Sequence, residues 1–383
     1  MTKKLYDEDS HLSGFEAVVL SCVPAGEYWH VVLDRTAFFP EGGGQSADTG
    51  VLDDVHVLDV QEVQGEILHT TDAPLRAGAL VQGELDWPKR FRRMQAHSGE
   101  HIISGLVHAR LGYRNVGFHL GDDAVTMDYD GELTQEDTAA IEFLANYAVW
   151  EDVAVAAEYP SPEELQRMEY RSKLALTENV RIVTIEGYDV CACCAPHVSP
   201  TGEIGAIKII DRMRHRGGTR LTMICGIDAI RQYRSLFDEA AALSNLLSVP
   251  KDQLVPAVER LFAERDALQR QLSAREEKLN ALRLKSLPLN AKDIVVIDEF
   301  DDPDAMRELV NAGMERCTGV CAAFSGDDTQ GYRYIIGSQS IDLRARAKEI
   351  NSVLNGRGGG RPTMIQGSCS VKESQIRQFF DDF

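Results

Sequence analysis

The sequence predicts an α+β protein in four successive parts: an N-terminal β-barrel-like domain, an α+β core, a helical hairpin or coiled-coil linker, and a C-terminal α/β domain. Three observations predict it. Residues 14–90 read as short β-rich runs separated by turn residues, and residues 229–285 are rich in Glu, Arg, Leu and Ala with leucine at a 3-4 spacing. The segments between and after these two mix helical and strand patterns. A chain of 383 residues exceeds one ordinary core, and boundaries are expected near residues 90, 228 and 285.

In residues 1–90, Phe15–Leu20 and Trp29–Leu33 are β-rich, Val55–Val60 alternates in part, and Gly50, Asp53-Asp54, Gly65 and Gly83 punctuate them. Between strands lies Phe38-Phe39-Pro40-Glu41-Gly42-Gly43-Gly44-Gln45. Its glycines let backbone N–H groups approach a phosphate or a developing oxyanion, so Gly43 and Gly44 are candidate binding positions and Gln45 a candidate catalytic one that orients water. A tight turn with a surface glutamine is the structural alternative.

In residues 91–228 the period turns helical over Arg92–Arg110, ended by Gly112-Tyr113. Val116–Leu120 and Ala124–Tyr129 read as strands, and Thr134 caps a helix running to about Trp150, with Asp137 completing a box-like start. Val180–Ile185 reads as a strand, and Ile204–Ile210 with Thr219–Cys225 as a hairpin. In the linker, Leu254, Val258, Leu261, Leu268, Leu272, Leu279 and Leu282 form the apolar stripe, interrupted by Arg265 and Arg275, with Pro250 near the start of the second helix. Ser286-Leu287-Pro288 breaks the pattern. Residues 286–383 then carry strands at Ile294–Ile297 and Tyr332–Ile336, helices near 303–313 and 342–355, and a glycine-rich loop from Asn355 to Pro362.

Two short motifs describe one metal site. His97 and His101 lie in HSGEH, and Cys193 and His197 in CCAPH about ninety residues later. Ligands four apart on a helix share a face, because a turn takes about 3.6 residues. Imidazole nitrogen and thiolate sulfur are zinc-preferring donors, and four of them suit one tetrahedral Zn2+ per chain. Cys194 and Cys191 are rival ligands. With His97 at 0° on a helical wheel, Glu100 falls near roughly −60° and His101 near roughly +40°. Glu100 is therefore the candidate base, with a surface or outer-shell glutamate as the structural alternative.

The net charge of −20 argues against bulk electrostatic binding of nucleic acid and confines such contact to local basic patches. Lys89-Arg90-Phe91-Arg92-Arg93 is one; Arg212, Arg214, His215, Arg216 and Arg220 form another. The scattered cysteines suit reduced thiols. Neither an apolar leader nor a membrane-length apolar run is present, so a cytoplasmic protein without a membrane partner is expected.

Taken together, these motifs resemble a known family. HxxxH followed by CxxxH, with Thr201-Gly202-Glu203-Ile204-Gly205 after the last ligand, resembles the editing domain of alanyl-tRNA synthetase. Arg35 to Gln45 with Asp48-Thr49-Gly50 resembles the glycine-rich stretch before that domain, and Gly356-Arg357-Gly358-Gly359-Gly360-Arg361-Pro362 resembles its C-terminal domain. The layout is similar to long-form, free-standing alanyl-tRNA editing proteins of the AlaX type, with no aminoacylation domain ahead of the editing portion. The resemblance implies zinc on His97, His101, Cys193 and His197. It also implies trans hydrolysis of seryl-tRNA(Ala), and also of glycyl-tRNA(Ala), in the cytoplasm.

On this reading Gln45 could also meet the terminal adenosine. His119, Arg212, Arg216, Arg357 and Arg361 join Gly43 and Gly44 as substrate-binding candidates. The partner is tRNA(Ala) carrying a wrong amino acid, and the linker or C-terminal domain is where a homodimer would form. Two departures stand out: Glu100 occupies the place where many synthetase editing domains have threonine, and Phe118 and His119 are the nearest positions to a glutamine of the following strand. Two other functions fit parts of the pattern. A non-catalytic, zinc-stabilised RNA-binding protein is one. A metallopeptidase is the other, since HSGEH fits H-x-x-E-H and Glu178 could be a distant third ligand; it leaves Cys193-x-x-x-His197 unexplained.

Overall fold

Six antiparallel strands built from the first turn-punctuated runs close into a barrel in a computed structural model, which describes residues 2–121, 123–172, 180–300 and 302–383. The strands are β1 (Gly14–Ala25), β2 (Tyr28–Leu33), β3 (Gly50–Leu52), β4 (Val55–Val63), β5 (Glu66–Thr71) and β6 (Leu80–Leu85), in the order β1-β2-β5-β4-β3-β6. In β6 buried and exposed residues alternate strictly, so Val81, Gly83 and Leu85 face the interior that Val31, Leu33, Phe38, Leu52 and Ile67 fill.

Helix α1 spans Trp87–Leu111. It starts five residues earlier than the apolar period suggests, because the Asp86 side chain accepts from the Lys89 N–H and a proline sits in the first turn. A boundary at residue 90 therefore falls inside a continuous helix. The basic run on this turn is largely internal: Arg90 is fully buried, paired with Asp48 and donating to the Ala37 carbonyl; Arg93 donates to the Ala47 carbonyl; Arg92 pairs with Asp228. Three arginines of the 89–93 patch are thus engaged in ties within the protein.

Against α1 pack two sheets and a second helix. One sheet has the order β12-β13-β8-β7, from β7 (Asn115–Leu120), β8 (Val125–Tyr129), β12 (Ile207–His215) and β13 (Gly218–Cys225). The other is β9 (Val155–Glu158), β10 (Ile182–Ile185) and β11 (Asp189–Ala192), all antiparallel. Helix α2 (Gln135–Glu151) has the Thr134–Asp137 capping box that its sequence promises. Met94, Ile102, Ile103, Met127, Ile141, Leu221 and Met223 form the shared core.

Contacts divide the chain into two compact units, Met1–Ala242 and Leu243–Phe383, so the helical stretch after the core is shared between them. Its helices are α3 (Ile227–Leu247) and α4 (Leu254–Ser286); on α4, Leu261, Leu268, Leu272, Leu279 and Leu282 are exposed. In the second unit a five-stranded sheet runs β14-β15-β16-β18-β17, from β14 (Ile294–Ile297), β15 (Val320–Asp327), β16 (Gly331–Ser338), β17 (Gly356–Arg361) and β18 (Met364–Cys369). Helix α5 (Pro303–Met314) covers the face carrying Cys321 and Ala323, and α6 (Leu343–Val353) with α7 (Glu373–Asp381) covers the face carrying Val320, Ala322 and Phe324.

The glycine-rich segment expected as a loop is instead the edge strand β17, paired through Arg361 with Met364. Its glycines lower strand propensity, but registration against β18 supplies the ladder. No helix among the described residues is long and apolar enough to cross a membrane.

Candidate metal centre

Helix α1 delivers His97 and His101, and the loop after β11 delivers Cys193 and His197; their ligand atoms lie within 4.8 Å of one another. The Cys193 Sγ is 3.5 Å from His97 Nε2 and 3.4 Å from His197 Nε2. Donors around a tetrahedral zinc, with Zn–N about 2.0–2.1 Å and Zn–S about 2.3 Å, stand about 3.3–3.6 Å apart, so the donor set fits that ion.

Each imidazole is held from behind. His97 Nδ1 donates to Gln45 Oε1 at 3.0 Å and His101 Nδ1 to Asp189 Oδ2 at 2.9 Å, while His197 Nδ1 shares a hydrogen bond with the Ser98 hydroxyl at 3.0 Å. The bonds to Gln45 and Asp189 put the ring proton of His97 and His101 on Nδ1 and leave Nε2 for the cluster, as in metal sites where the outer partner fixes tautomer and ring orientation. All three rings are buried, and His97 also lies 4.9 Å from the Phe118 ring.

Electrostatics separates the rival cysteines. Burial would raise the Cys193 thiol, but the imidazoles of His97 and His197 bring it well below the usual thiol range. Burial instead pushes the Cys191 thiol up, and Cys194 is exposed outside the four-residue cluster. The thiolate is the ligating form, which favours Cys193. Burial lowers His197 to about 3, keeping it neutral. His101 goes the other way: against the opposing effect of burial, the Asp189 hydrogen bond and Cys193 raise it well above the imidazole range, so an Nε2 proton has to leave before that atom can ligate.

Glu100 is 3% exposed; its Oε1 accepts from Ser104 Oγ and Asn115 Nδ2, both at 2.6 Å. Its Oε2 is 4.0 Å from His101 Nε2, on the cluster side. Ser104 in turn meets the Tyr129 hydroxyl at 2.9 Å. A cavity of about 1170 Å³ is lined by Asn115, Tyr170, Arg171 and Asp189, so it reaches the outer partners of Glu100 and His101.

The glycine loop closes another side. Gly44 has φ +83°, and a Cβ there would lie 2.5 Å from the Phe118 ring, so only glycine lets the loop approach strand β7. Gly43 faces Cys194. The structure therefore brings Gln45 and Glu100 against the candidate ligands, with Gly44 on Phe118 and Gly43 beside Cys194.

It does not bring His119 there: on β7 neighbouring side chains point oppositely, Phe118 meets His97, and His119 is exposed. Arg212 and Arg216 lie on the exposed β12–β13 hairpin, where Arg214 pairs with Glu132 and Arg220 with Asp128. Arg357 and Arg361 are exposed on β17 of the second unit. Glu178, the distant ligand of a peptidase reading, lies outside the described residues.

Sequence reasoning missed Ser98, Ser104, Asn115, Arg171 and Asp189. Only Ser98 and Ser104 carried a local signal, being one residue after His97 and four after Glu100 on the same helix.

Three family descriptions match along the chain: tRNA synthetases class II (A) at residues 14–89, the threonyl and alanyl tRNA synthetase second additional domain at 180–222, and the DHHA1 domain at 290–383. Alanine–tRNA ligases align over nearly the whole chain. That of Pyrococcus abyssi is 32% identical over 96% of this chain and 42% of its own length; that of Natronomonas pharaonis is 33% identical over the same shares. The chain is alanyl-tRNA-synthetase-like. It spans 42% of the length of these curated relatives. Among solved structures, the C-Ala domain of Aquifex aeolicus alanyl-tRNA synthetase matches 24% of this alanyl-tRNA-synthetase-like chain and 92% of itself, at 19% identity and a TM-score of 0.21, too slight a likeness to argue from.

Proposed function

We propose that this chain deacylates mischarged tRNA(Ala) in trans, removing serine and also glycine, at a site holding one zinc ion on His97, His101, Cys193 and His197. The observation that carries the reading is the buried Glu100 carboxylate, turned by Ser104 and Asn115 so that its second oxygen faces the four-ligand cluster. A bound zinc supplies Lewis acidity and a fixed positive charge for the aminoacyl group.

The chain's own residues supply the rest. Glu100 Oε2 takes a proton from water as the water oxygen bonds to the ester carbonyl carbon. The carbonyl–ribose C–O bond then breaks, and the proton passes to the departing ribose oxygen. Gly43 and Gly44 offer backbone N–H groups to the terminal nucleotide or the oxyanion, and Gln45 keeps His97 in register. The exposed Arg212, Arg216, Arg357 and Arg361 contact the tRNA phosphates, which makes binding salt-dependent. The exposed leucines of α4 are where a homodimer would form.

Hydrolysis of Ser-, Gly- and Ala-tRNA(Ala) by the purified protein and its His97→Ala variant tests this. Rapid loss of the seryl ester with an inert variant is expected. Intact esters in a protein that holds zinc and binds tRNA would instead establish a non-catalytic RNA-binding role.

A further inference from the structure

Behind His101 lies a buried ion pair that the proposed chemistry does not use. Arg171 donates to both oxygens of Asp189, from Nε to Oδ1 and from Nη2 to Oδ2, each at 2.7 Å. Asp189 Oδ2 also accepts from His101 Nδ1 at 2.9 Å, and the Asp189 side chain is 2% exposed. His101, Asp189 and Cys191 could themselves be read as a second metal group. The fork of Arg171 argues otherwise: it occupies both carboxylate oxygens with charge-assisted bonds, so Asp189 acts as an anion behind an imidazole and not as a ligand.

Arg171 and Asp189 arrive from different places. Asp189 opens β11, and Arg171 is bridged to Cys191 on the wall of the 1170 Å³ cavity. Helix α1 comes close enough for their contact with His101 only because Gly105 lacks a side chain; a Cβ there would lie 2.2 Å from the Tyr188 carbonyl oxygen and 2.9 Å from the Asp189 Cβ. Three separate segments thus converge on one imidazole nitrogen.

We propose that Asp189, locked by Arg171, is the positioning residue that holds His101 in its metal-binding tautomer, so that the cavity wall and the metal centre are one mechanical unit. This rests on the zinc reading above and adds two residues to it. The directionality of the bonds makes the consequence specific. An asparagine at 189 has one oxygen where the carboxylate has two, while Arg171 presents donors to both places. One amide placement turns NH2 toward His101 Nδ1, which must then accept, moving the ring proton to Nε2, the atom that faces the cluster. The other placement sets NH2 against Arg171 Nε. Either way Asp189→Asn creates a donor–donor conflict, and removing the Arg171 donors relieves it.

Zinc affinity, by competition with a chromophoric chelator, and the visible absorption of the Co2+-substituted protein are read for wild type, Asp189→Asn, Arg171→Met and the double variant, with circular dichroism as a folding check. Asp189→Asn is expected to lose 10–100-fold in zinc affinity and to alter the Co2+ spectrum. Arg171→Met should lose less, and the double variant should bind zinc more tightly than Asp189→Asn alone. Additive losses, or affinity and spectrum unchanged in Asp189→Asn, would overturn the positioning role while leaving the zinc site standing. A wild-type protein that holds no zinc would overturn both readings together.

Discussion

Gly105 on α1 offers a test in which two known effects oppose each other. Replacing an interior helical glycine with alanine ordinarily gains about 1 kcal/mol of helix stability. Here the new Cβ would sit 2.2 Å from the Tyr188 carbonyl oxygen. Carbon–oxygen contacts settle near about 3.3–3.6 Å, so the turn leading into β11 must retreat by roughly 1 Å. The contact is between a Cβ, fixed by the backbone, and a backbone carbonyl, which no rotamer change can relieve. Overpacking of this kind costs about 1–3 kcal/mol, occasionally more.

The clash should win, with Gly105→Ala net destabilised by up to about 2 kcal/mol. A retreat of that size also stretches the 2.9 Å bond from His101 to Asp189, so zinc affinity should fall alongside stability. Urea unfolding monitored by circular dichroism and chelator competition measure the two. A variant as stable as wild type, with undiminished zinc affinity, would show that α1 and the turn before β11 are not in tight contact.

Three other outcomes are expected. Glu100→Gln should slow deacylation of Ser-tRNA(Ala) by about 10²–10⁴-fold while zinc content, read by atomic absorption, stays at wild-type level; full activity would remove Glu100 as the base. Burial lowers His69 to about 4, with Nδ1 donating to the Val31 carbonyl and Nε2 beside the Thr36 hydroxyl. The unfolded chain therefore takes up a proton that the barrel refuses. Its contribution of about 3 kcal/mol is fully present above the unfolded value near 6.5 and is lost as pH falls toward 4. Urea midpoints at pH 7 and 5 should differ more in wild type than in His69→Gln, and equal differences would contradict the assignment. Finally, Arg90→Met strands the buried Asp48 carboxylate and should cost about 3–5 kcal/mol, more than the Arg90→Met/Asp48→Asn pair; a midpoint unchanged by Arg90→Met would show that the buried pair is not a structural tie.

Much of the centre is local and could be read along the chain. His97 and His101 share a face on any helix, and a carboxylate at Glu100 flanks them wherever that helix lies. The Thr134–Asp137 box is likewise a matter of three residues. The basic run at 89–93 shows the complementary limit: charge counted linearly does not say which way each residue turns, and α1 points Arg90 and Arg93 inward. The edge strand β17 was hidden because strand pairing depends on the neighbour and not on the glycine-rich segment alone.

By itself the sequence determined the candidate ligand types, their spacing and the helix that aligns two of them, because those follow from covalent order and helical period. Only tertiary structure decided which groups stand behind the imidazoles. Gln45, Asp189 and Ser98 are separated from their histidines by 52, 88 and 99 residues. A hydrogen bond needs donor and acceptor within about 3 Å, and only the packing of barrel, helix and strand fixes distances between segments so far apart in the chain.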